Sequence, residues 1–96
     1  IFVNVADIVL CISDGPYTTF HLKKGDNIMT SRNLKEYEEL LSEHRFFRIH
    51  KSYLVNLNEI KRYIRGDGGQ VVMSNGITVD VSKRKKESFL NTLSKL

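Results

Sequence analysis

The sequence predicts a mainly β domain of elongated antiparallel sheets, with a short internal helix and a C-terminal helix. Three observations support this fold class. Strand-length segments with alternating or two-sided apolar character dominate the chain. Turn sequences rich in Gly, Pro, Asn and Asp separate these segments. Apolar residues at helical spacing occur in only two places, after Asn33 and after Ser82.

Length and composition indicate one globular domain over residues 1–96, large enough for a single modest core. No apolar run approaches the roughly 18 residues of a membrane span, and no signal leader opens the chain, so neither membrane insertion nor export is expected. Because the chain begins at Ile1 without a Met, we expect a fragment of a longer protein. The single cysteine, Cys11, excludes an internal disulfide and a cysteine-rich zinc site, and it favours a reducing, cytoplasmic location.

The first half of the chain is predicted to hold most of the strands, at residues 3–5, 8–13, 17–24 and 28–30. Apolar residues occupy both faces of segment 8–13, which indicates a strand buried on both sides with Cys11 in the core. The turn Asp14-Gly15-Pro16 then reverses the chain. In the next strand Thr18, Phe20 and Leu22 share one face, and Tyr17 begins the polar face.

The internal helix is predicted to begin after Asn33, an N-cap whose partner in a capping box is Glu36. Its apolar stripe consists of Leu34, Tyr37, Leu40 and Leu41. The opposite face is mostly acidic and would repel phosphate. We therefore expect this helix to cover a sheet and to stay away from nucleic acid.

The segment FFRIHKSYLVN, residues 46–56, has apolar residues at both ends and polar residues between them. This composition predicts a binding segment anchored in the core at each end. Arg48 lies between apolar neighbours, so we assign it an internal ion pair, with Glu59 or Asp80, and no contact with nucleic acid. A three-stranded meander follows at residues 61–65, 70–73 and 77–81, with Asn75-Gly76 indicating a two-residue hairpin.

The last segment is predicted to be a helix with Ser82 as its N-cap and with apolar residues at helical spacing: Phe89, Leu90, Leu93 and Leu96. Its first turns hold four consecutive cations, residues 83–86, which repel each other and oppose the helix dipole at roughly 0.3–1 kcal/mol each. Such a cluster favours binding of an anion such as phosphate. The alternative is a solvated run whose cost the core offsets.

Charge is divided unevenly along the chain. Residues 1–43 hold four basic and seven acidic side chains, a net of −3, whereas residues 44–96 hold eleven basic and four acidic ones, a net of +7. A basic surface attracts phosphate backbones, acidic proteins and anionic lipid alike. The charge alone does not choose among these partners.

Two motifs resemble the LytTR family, the DNA-binding domain of many bacterial response regulators: FFRIHKSYLVN at residues 46–56 and VDVSKR at residues 79–84. The resemblance implies an elongated, mainly β domain that binds specific double-stranded DNA, reading its grooves with loop and strand-end residues. It also implies the output domain of a two-component transcriptional regulator. An N-terminal receiver or sensor segment, absent from this chain, would pair copies on repeated sites.

The resemblance also implies a set of contact residues. The turn from Asp14 to Tyr17 matches one contact loop, Lys51 matches the residue after the histidine of the first motif, and Arg84 matches a basic residue of the second. Arg84 can form a bidentate contact with guanine, whereas the lysines suit phosphates. Tyr17 and His50 either contact DNA or support the fold. The complete predicted site is Tyr17, His50, Lys51, Ser52, Lys83, Arg84, Lys85 and Lys86.

Two other classes of function make different demands on the sequence. An enzyme would need a catalytic or metal-binding constellation, but His21, His44 and His50 lack metal spacing and no nucleophile motif is present, so no catalytic residue, metal, cofactor or small-molecule substrate is predicted. A basic β domain that binds RNA or an acidic protein is the remaining alternative. Tyr17 and Tyr53 are its only clear candidates for base stacking.

Overall fold

The computed structural model describes residues 2–95 and contains two antiparallel sheets and two helices. Its dimensions of 36 × 24 × 23 Å make it elongated, and the predicted fold class is confirmed. The strands are β1 (Ile8–Asp14), β2 (Tyr17–Leu22), β3 (Ile28–Thr30), β4 (Phe46–His50), β5 (Tyr53–Asn56), β6 (Ile60–Ile64), β7 (Gln70–Met73) and β8 (Thr78–Asp80); the helices are α1 (Leu34–Leu40) and α2 (Lys86–Leu93). Neither helix is long and apolar enough to cross a membrane.

Strand β1 lies at the centre of the larger sheet, whose order is β3-β2-β1-β5-β4. As predicted, both of its faces are buried, because the sheet separates two apolar cores. On one face Cys11 packs in a core with Leu34 and Leu41, contributed by α1 and the residue that follows it. On the other face Leu10 packs in a core shared with the smaller sheet, β6-β7-β8, and with Phe89 of α2.

The predicted strand at residues 3–5 is wrong. Residues 2–4 form no regular element, and Val5–Asp7 is a 3₁₀ turn. The Asn4 side-chain oxygen accepts a hydrogen bond from Ala6 N at 3.0 Å and caps this turn. An asparagine that bonds the backbone two residues ahead favours a turn over an extended strand, even among apolar neighbours.

Helix α1 begins as predicted but buries a narrower stripe. The Asn33 side chain accepts from Glu36 N at 3.0 Å, whereas the Glu36 carboxylate pairs with Arg32 at 3.5 Å instead of returning a bond to the cap. Leu40 is 59% exposed, contrary to the prediction. Leu34 and Leu41 are seven residues apart and share a face, while Leu40 lies a full 100° away from Leu41.

The hairpin between β7 and β8 is longer than Asn75-Gly76 alone suggests. Gly76 N donates to Met73 O at 2.9 Å, and Met73 N donates to Ile77 O at 2.8 Å, which closes a loop of residues 74–76. Gly76 has φ +91°, the left-handed conformation that ends a three-residue hairpin loop. The antiparallel pairing itself is as predicted.

The C-terminal helix begins later than predicted. Residues Lys83–Lys85 form a 3₁₀ turn, and α2 starts at Lys86, so Ser82 does not cap the helix. The Ser82 amide instead donates to Ile49 O on β4 at 2.9 Å. Three of the four consecutive cations therefore precede the helix. Phe89 is fully buried and Leu90 and Leu93 pack beside it, as predicted, whereas Leu96 lies outside the described residues.

The buried position of Cys11 predicts an unreactive thiol. Burial raises the pKa of the Cys11 thiol to about 12, so almost no thiolate exists at neutral pH. We expect no reaction with a disulfide reagent such as DTNB until guanidinium unfolds the domain. A Ser42→Cys variant, whose new thiol lies at an exposed position, is the control and should release one equivalent of thionitrobenzoate at once. Rapid labelling of the unmodified native domain would contradict the core position.

Candidate nucleic-acid interface

The first predicted contact loop is the tight hairpin between β1 and β2. Asp14 faces Tyr17 across the pair of strands, and Gly15 and Pro16 form the turn between them. Gly15 has φ +59°, which fits the first central position of a type II′ turn. Tyr17 is 46% exposed at this tip. Its side chain is therefore accessible to a partner.

The second predicted contact loop is the turn between β4 and β5, where Lys51 is exposed. His50 Nδ1 accepts a hydrogen bond from Ser52 N at 3.0 Å, and the His50 ring stacks 4.9 Å from the Tyr53 ring. An accepting Nδ1 places the proton of a neutral imidazole on Nε2. His50 therefore supports the turn through Nδ1, and Nε2 is left to donate.

Backbone hydrogen bonds bring the three predicted segments next to one another. Ser13 N donates to Ser52 O at 2.9 Å, which places the β1–β2 tip beside the β4–β5 turn. Ser82 N donates to Ile49 O at 2.9 Å, which places the basic residues 83–86 on the other side of that turn. Segments far apart in sequence thus form one surface, hereafter the basic end.

The cations of the basic end differ in how they are held. Arg84 is exposed and forms no ion pair within residues 2–95. Lys83 pairs loosely with Asp67 at 3.6 Å, and both side chains are exposed, so this pair is weak. Lys86 Nζ donates to Gly66 O at 3.4 Å. Arg84, Lys51 and Lys85 thus have no ionic partner within residues 2–95, whereas Lys83 and Lys86 have weak contacts with the β6–β7 loop.

An open cleft of about 410 Å³ lies within the basic end, between His50, Lys83 and the β6–β7 loop. Arg65 lines this cleft and is exposed, although the sequence predicts it only as the last residue of the strand at residues 61–65. Only the folded loop brings its charge to the cleft that Lys83 also lines. Arg65 is thus a candidate contact residue that sequence reasoning missed.

Glycine allows the β6–β7 loop to lie directly against the C-terminal segment. A Cβ at Gly68 would overlap the Val81 carbonyl oxygen, so this backbone approach excludes any side chain. Gly68 O also accepts a hydrogen bond from the Tyr63 hydroxyl at 3.0 Å. The loop therefore fixes the place where the chain leaves β8 for the basic residues.

Arg48 has a different ionic partner from the two that were predicted. Its guanidinium pairs with Glu38 of α1 at 2.9 Å. Glu59 instead pairs with Lys23 at 3.2 Å, and Asp80 accepts from Gln70 at 3.0 Å. Both of the acids predicted for Arg48 have partners elsewhere, and the helix expected only to cover the sheet supplies the one that Arg48 uses.

His21 lies on the same face of β2 as Tyr17 but brings no charge to the basic end. Burial lowers the pKa of the His21 imidazole, because the surrounding protein disfavours the protonated form. His21 is therefore neutral at neutral pH.

Almost all of the chain matches one family. The model of the LytTr DNA-binding domain covers residues 1–94. The chain belongs to the LytTR family. A solved LytTr DNA-binding domain from Bacillus cereus, described as part of a methyl-accepting/DNA response regulator, superposes with a TM-score of 0.86 at 26% identity, over 97% of this chain and 86% of that one.

Two curated regulators are similar in sequence to this LytTR domain. The CO-responsive transcriptional regulator RcoM of Rhodospirillum rubrum is 33% identical over 76 residues, covering 78% of this chain and 32% of that protein. The sensory transduction protein LytT of Oceanobacillus iheyensis is 46% identical over 48 residues, covering 50% of this chain and 20% of that protein. The chain thus spans about a third or less of the curated relatives it matches.

Family membership establishes the general activity. The chain is a DNA-binding domain of the type found in response regulators and transcriptional regulators, and it is not an enzyme. The resemblance of FFRIHKSYLVN and VDVSKR to LytTR domains is confirmed.

The close approach of Gly68 to Val81 predicts a large effect of a small substitution. Gly68→Ala should destabilise the domain by about 1–3 kcal/mol, because the added methyl group forces the two backbones apart. Thermal unfolding measures the loss. Gly66→Ala is the matched control, since its Cβ would meet nothing closer than 3.8 Å. Equal stability of the two variants would contradict the packing of this loop.

Proposed function

We propose that this LytTR domain binds specific double-stranded DNA with its basic end, as the cytoplasmic output domain of a bacterial two-component transcriptional regulator. The observation that carries the proposal is the convergence of three segments, the β1–β2 tip, the β4–β5 turn and residues 83–86, through the bonds of Ser13 to Ser52 and of Ser82 to Ile49. Short protruding loops and turns at one end suit the successive grooves of a duplex better than a recognition helix does.

The contact residues divide by chemistry. Arg84 offers a planar fork of donors that matches guanine O6 and N7, so we assign it base readout. Lys51, Lys83, Lys85 and Lys86 are point charges on flexible stems, so we assign them phosphates. We assign Tyr17, at the β1–β2 tip, and His50, at the end of β4, hydrogen bonds donated to DNA. Ser52 mainly supports the β4–β5 turn, because its amide donates to His50 and its carbonyl accepts from Ser13.

The proposal extends to how the domain is used. The curated relatives are three to five times longer than the stretch they share with this chain, and their names describe a sensory transduction protein and a transcriptional regulator. We propose that a further segment, a receiver or sensor, precedes this domain in its protein and pairs two copies on repeated sites. Binding of the isolated domain to one site would then be weaker than binding of the paired protein to two.

The proposed set of phosphate contacts predicts a steep dependence on salt. If about six phosphates are neutralised, log K should fall against log salt concentration with a slope of roughly −5. Fluorescence anisotropy with a labelled duplex, over a series of potassium chloride concentrations, measures this slope. Single-stranded RNA of the same sequence and a polyanion such as heparin are the controls. Preference for either control over the duplex would contradict the proposed function.

The proposed roles of Arg84 and Lys85 predict different defects. Arg84→Ala should relax the preference at one base pair, at a cost of about 1–3 kcal/mol, while random DNA binds nearly as before. Lys85→Ala should weaken binding to every sequence and reduce the salt slope by about one. Competition between a duplex selected from a random pool and its single-base variants measures the base preference, and anisotropy over the salt series measures the general loss and the slope. Equal losses on selected and random DNA for both variants would refute this division.

A further inference from the structure

Arg48 occupies the strand that leads into the central turn of the basic end. Its Nε donates to His50 O at 3.1 Å, its Nη2 donates to Lys51 O, and its Nη1 pairs with Glu38 of α1 at 2.9 Å. One guanidinium therefore bridges two consecutive carbonyls of the turn and one carboxylate of the helix. The Arg48 side chain is only 20% exposed, so these contacts are partly shielded from water.

The backbone beside Arg48 is irregular. The pairing of β4 with β5 shifts register between Arg48 and His50, so that Arg48 faces Leu54 and His50 faces Tyr53. A bulge of this kind re-aims the side chains that follow it and interrupts the regular ladder of hydrogen bonds. The carbonyls next to the bulge are the ones that Arg48 binds. The arginine thus holds in place a turn whose backbone the sheet alone specifies less tightly.

We infer that Arg48 and Glu38 form a positioning pair that sets the conformation of the β4–β5 turn and thereby the place of Lys51 in the DNA complex. This inference rests on the proposed function of the basic end. Neither residue need touch DNA, because Arg48 acts through the turn carbonyls and Glu38 acts through Arg48. A helix with an acidic surface is in this way necessary for an interface that attracts phosphate.

Electrostatics alone predicts the opposite change in DNA affinity when Glu38 is replaced. Removing an acidic side chain from a DNA-binding protein makes its field more positive and should tighten binding to a polyanion. Removing a positioning carboxylate should weaken binding in spite of this gain. The direction of the change therefore separates the two accounts.

The test compares Glu38→Ala with Glu39→Ala. The two variants change the net charge equally and lie on the same helix, but Glu39 is exposed and forms no ion pair within residues 2–95. We expect Glu38→Ala to raise Kd for the selected duplex about five- to tenfold, a change within the range of coupling between residues in contact, and Glu39→Ala to leave it unchanged or lower it. Equal or tighter binding by both variants would overturn the inference.

Arg48→Lys provides the second arm. Lysine keeps the charge, but a single ammonium cannot span two carbonyls and a carboxylate as the planar guanidinium does. Kd should rise five- to tenfold, about the factor expected for Glu38→Ala. The double variant that combines Glu38→Ala with Arg48→Lys should bind no more weakly than Arg48→Lys alone. In a Lys51→Ala background the effect of Arg48→Lys should largely disappear. A full and additive loss in that background would show that Arg48 does not act through Lys51.

Measurements on the free domain separate this inference from the proposed function. Amide hydrogen exchange followed by NMR should speed up in Arg48→Lys at Ser52, whose amide donates to His50 Nδ1, while Leu54 in the core and the thermal midpoint stay nearly unchanged. Unaltered exchange in the turn would overturn the positioning role even if the duplex binds. If the unmodified domain fails to bind duplex DNA although the turn amides respond, the proposed function is the part that fails, and with it any role of the pair in binding.

Discussion

The hydrogen bond from the Ser82 amide to the Ile49 carbonyl is the constraint on which the basic end depends. It joins the chain where it leaves the smaller sheet to the edge strand of the larger one. Ile49 is fully buried, and Val81 and Phe89 pack in the same core. Apolar burial therefore holds this bond in place, and the cations that follow Ser82 begin beside β4, two residues before Lys51.

The acidic first half and the basic second half of the chain lie in different parts of this structure. The acidic surface of α1 covers the core on the far face of the larger sheet, and most of the basic residues follow in the second half of the chain. Glu38 links the acidic helix to the basic half of the chain through its ion pair with Arg48. A mainly β scaffold can thus present cations at one end without a recognition helix, because its strand ends and turns are tied to each other there.

Local chemistry made much of the fold predictable. Two-sided apolar patterning identified β1, the Asp14-Gly15-Pro16 turn identified the first hairpin, and Asn33 identified the start of α1. These features depend on residues within one element or one turn. The strand at residues 3–5 was wrongly predicted from apolar composition. The side chain of Asn4 caps a 3₁₀ turn there instead.

Features that depend on contacts between distant segments were not predictable in the same way. Glu38 and Arg48 lie on different elements, and no spacing in the sequence relates them. The role of Ser82 was misassigned because its amide bonds a strand more than thirty residues earlier, which delays the start of α2. Arg65 belongs to the candidate site only because the folded chain places it in the cleft that Lys83 also lines.

The most direct test of the account is an NMR titration of the 15N-labelled domain with duplex DNA selected from a random pool. The account predicts that shift changes concentrate at residues 14–17, at residues 50–52 and at residues 82–86, on one continuous surface, while the outer face of α1 changes little. Shift changes confined to α1, or to one of the three segments without the other two, would contradict the claim that these segments act together as the DNA-binding surface.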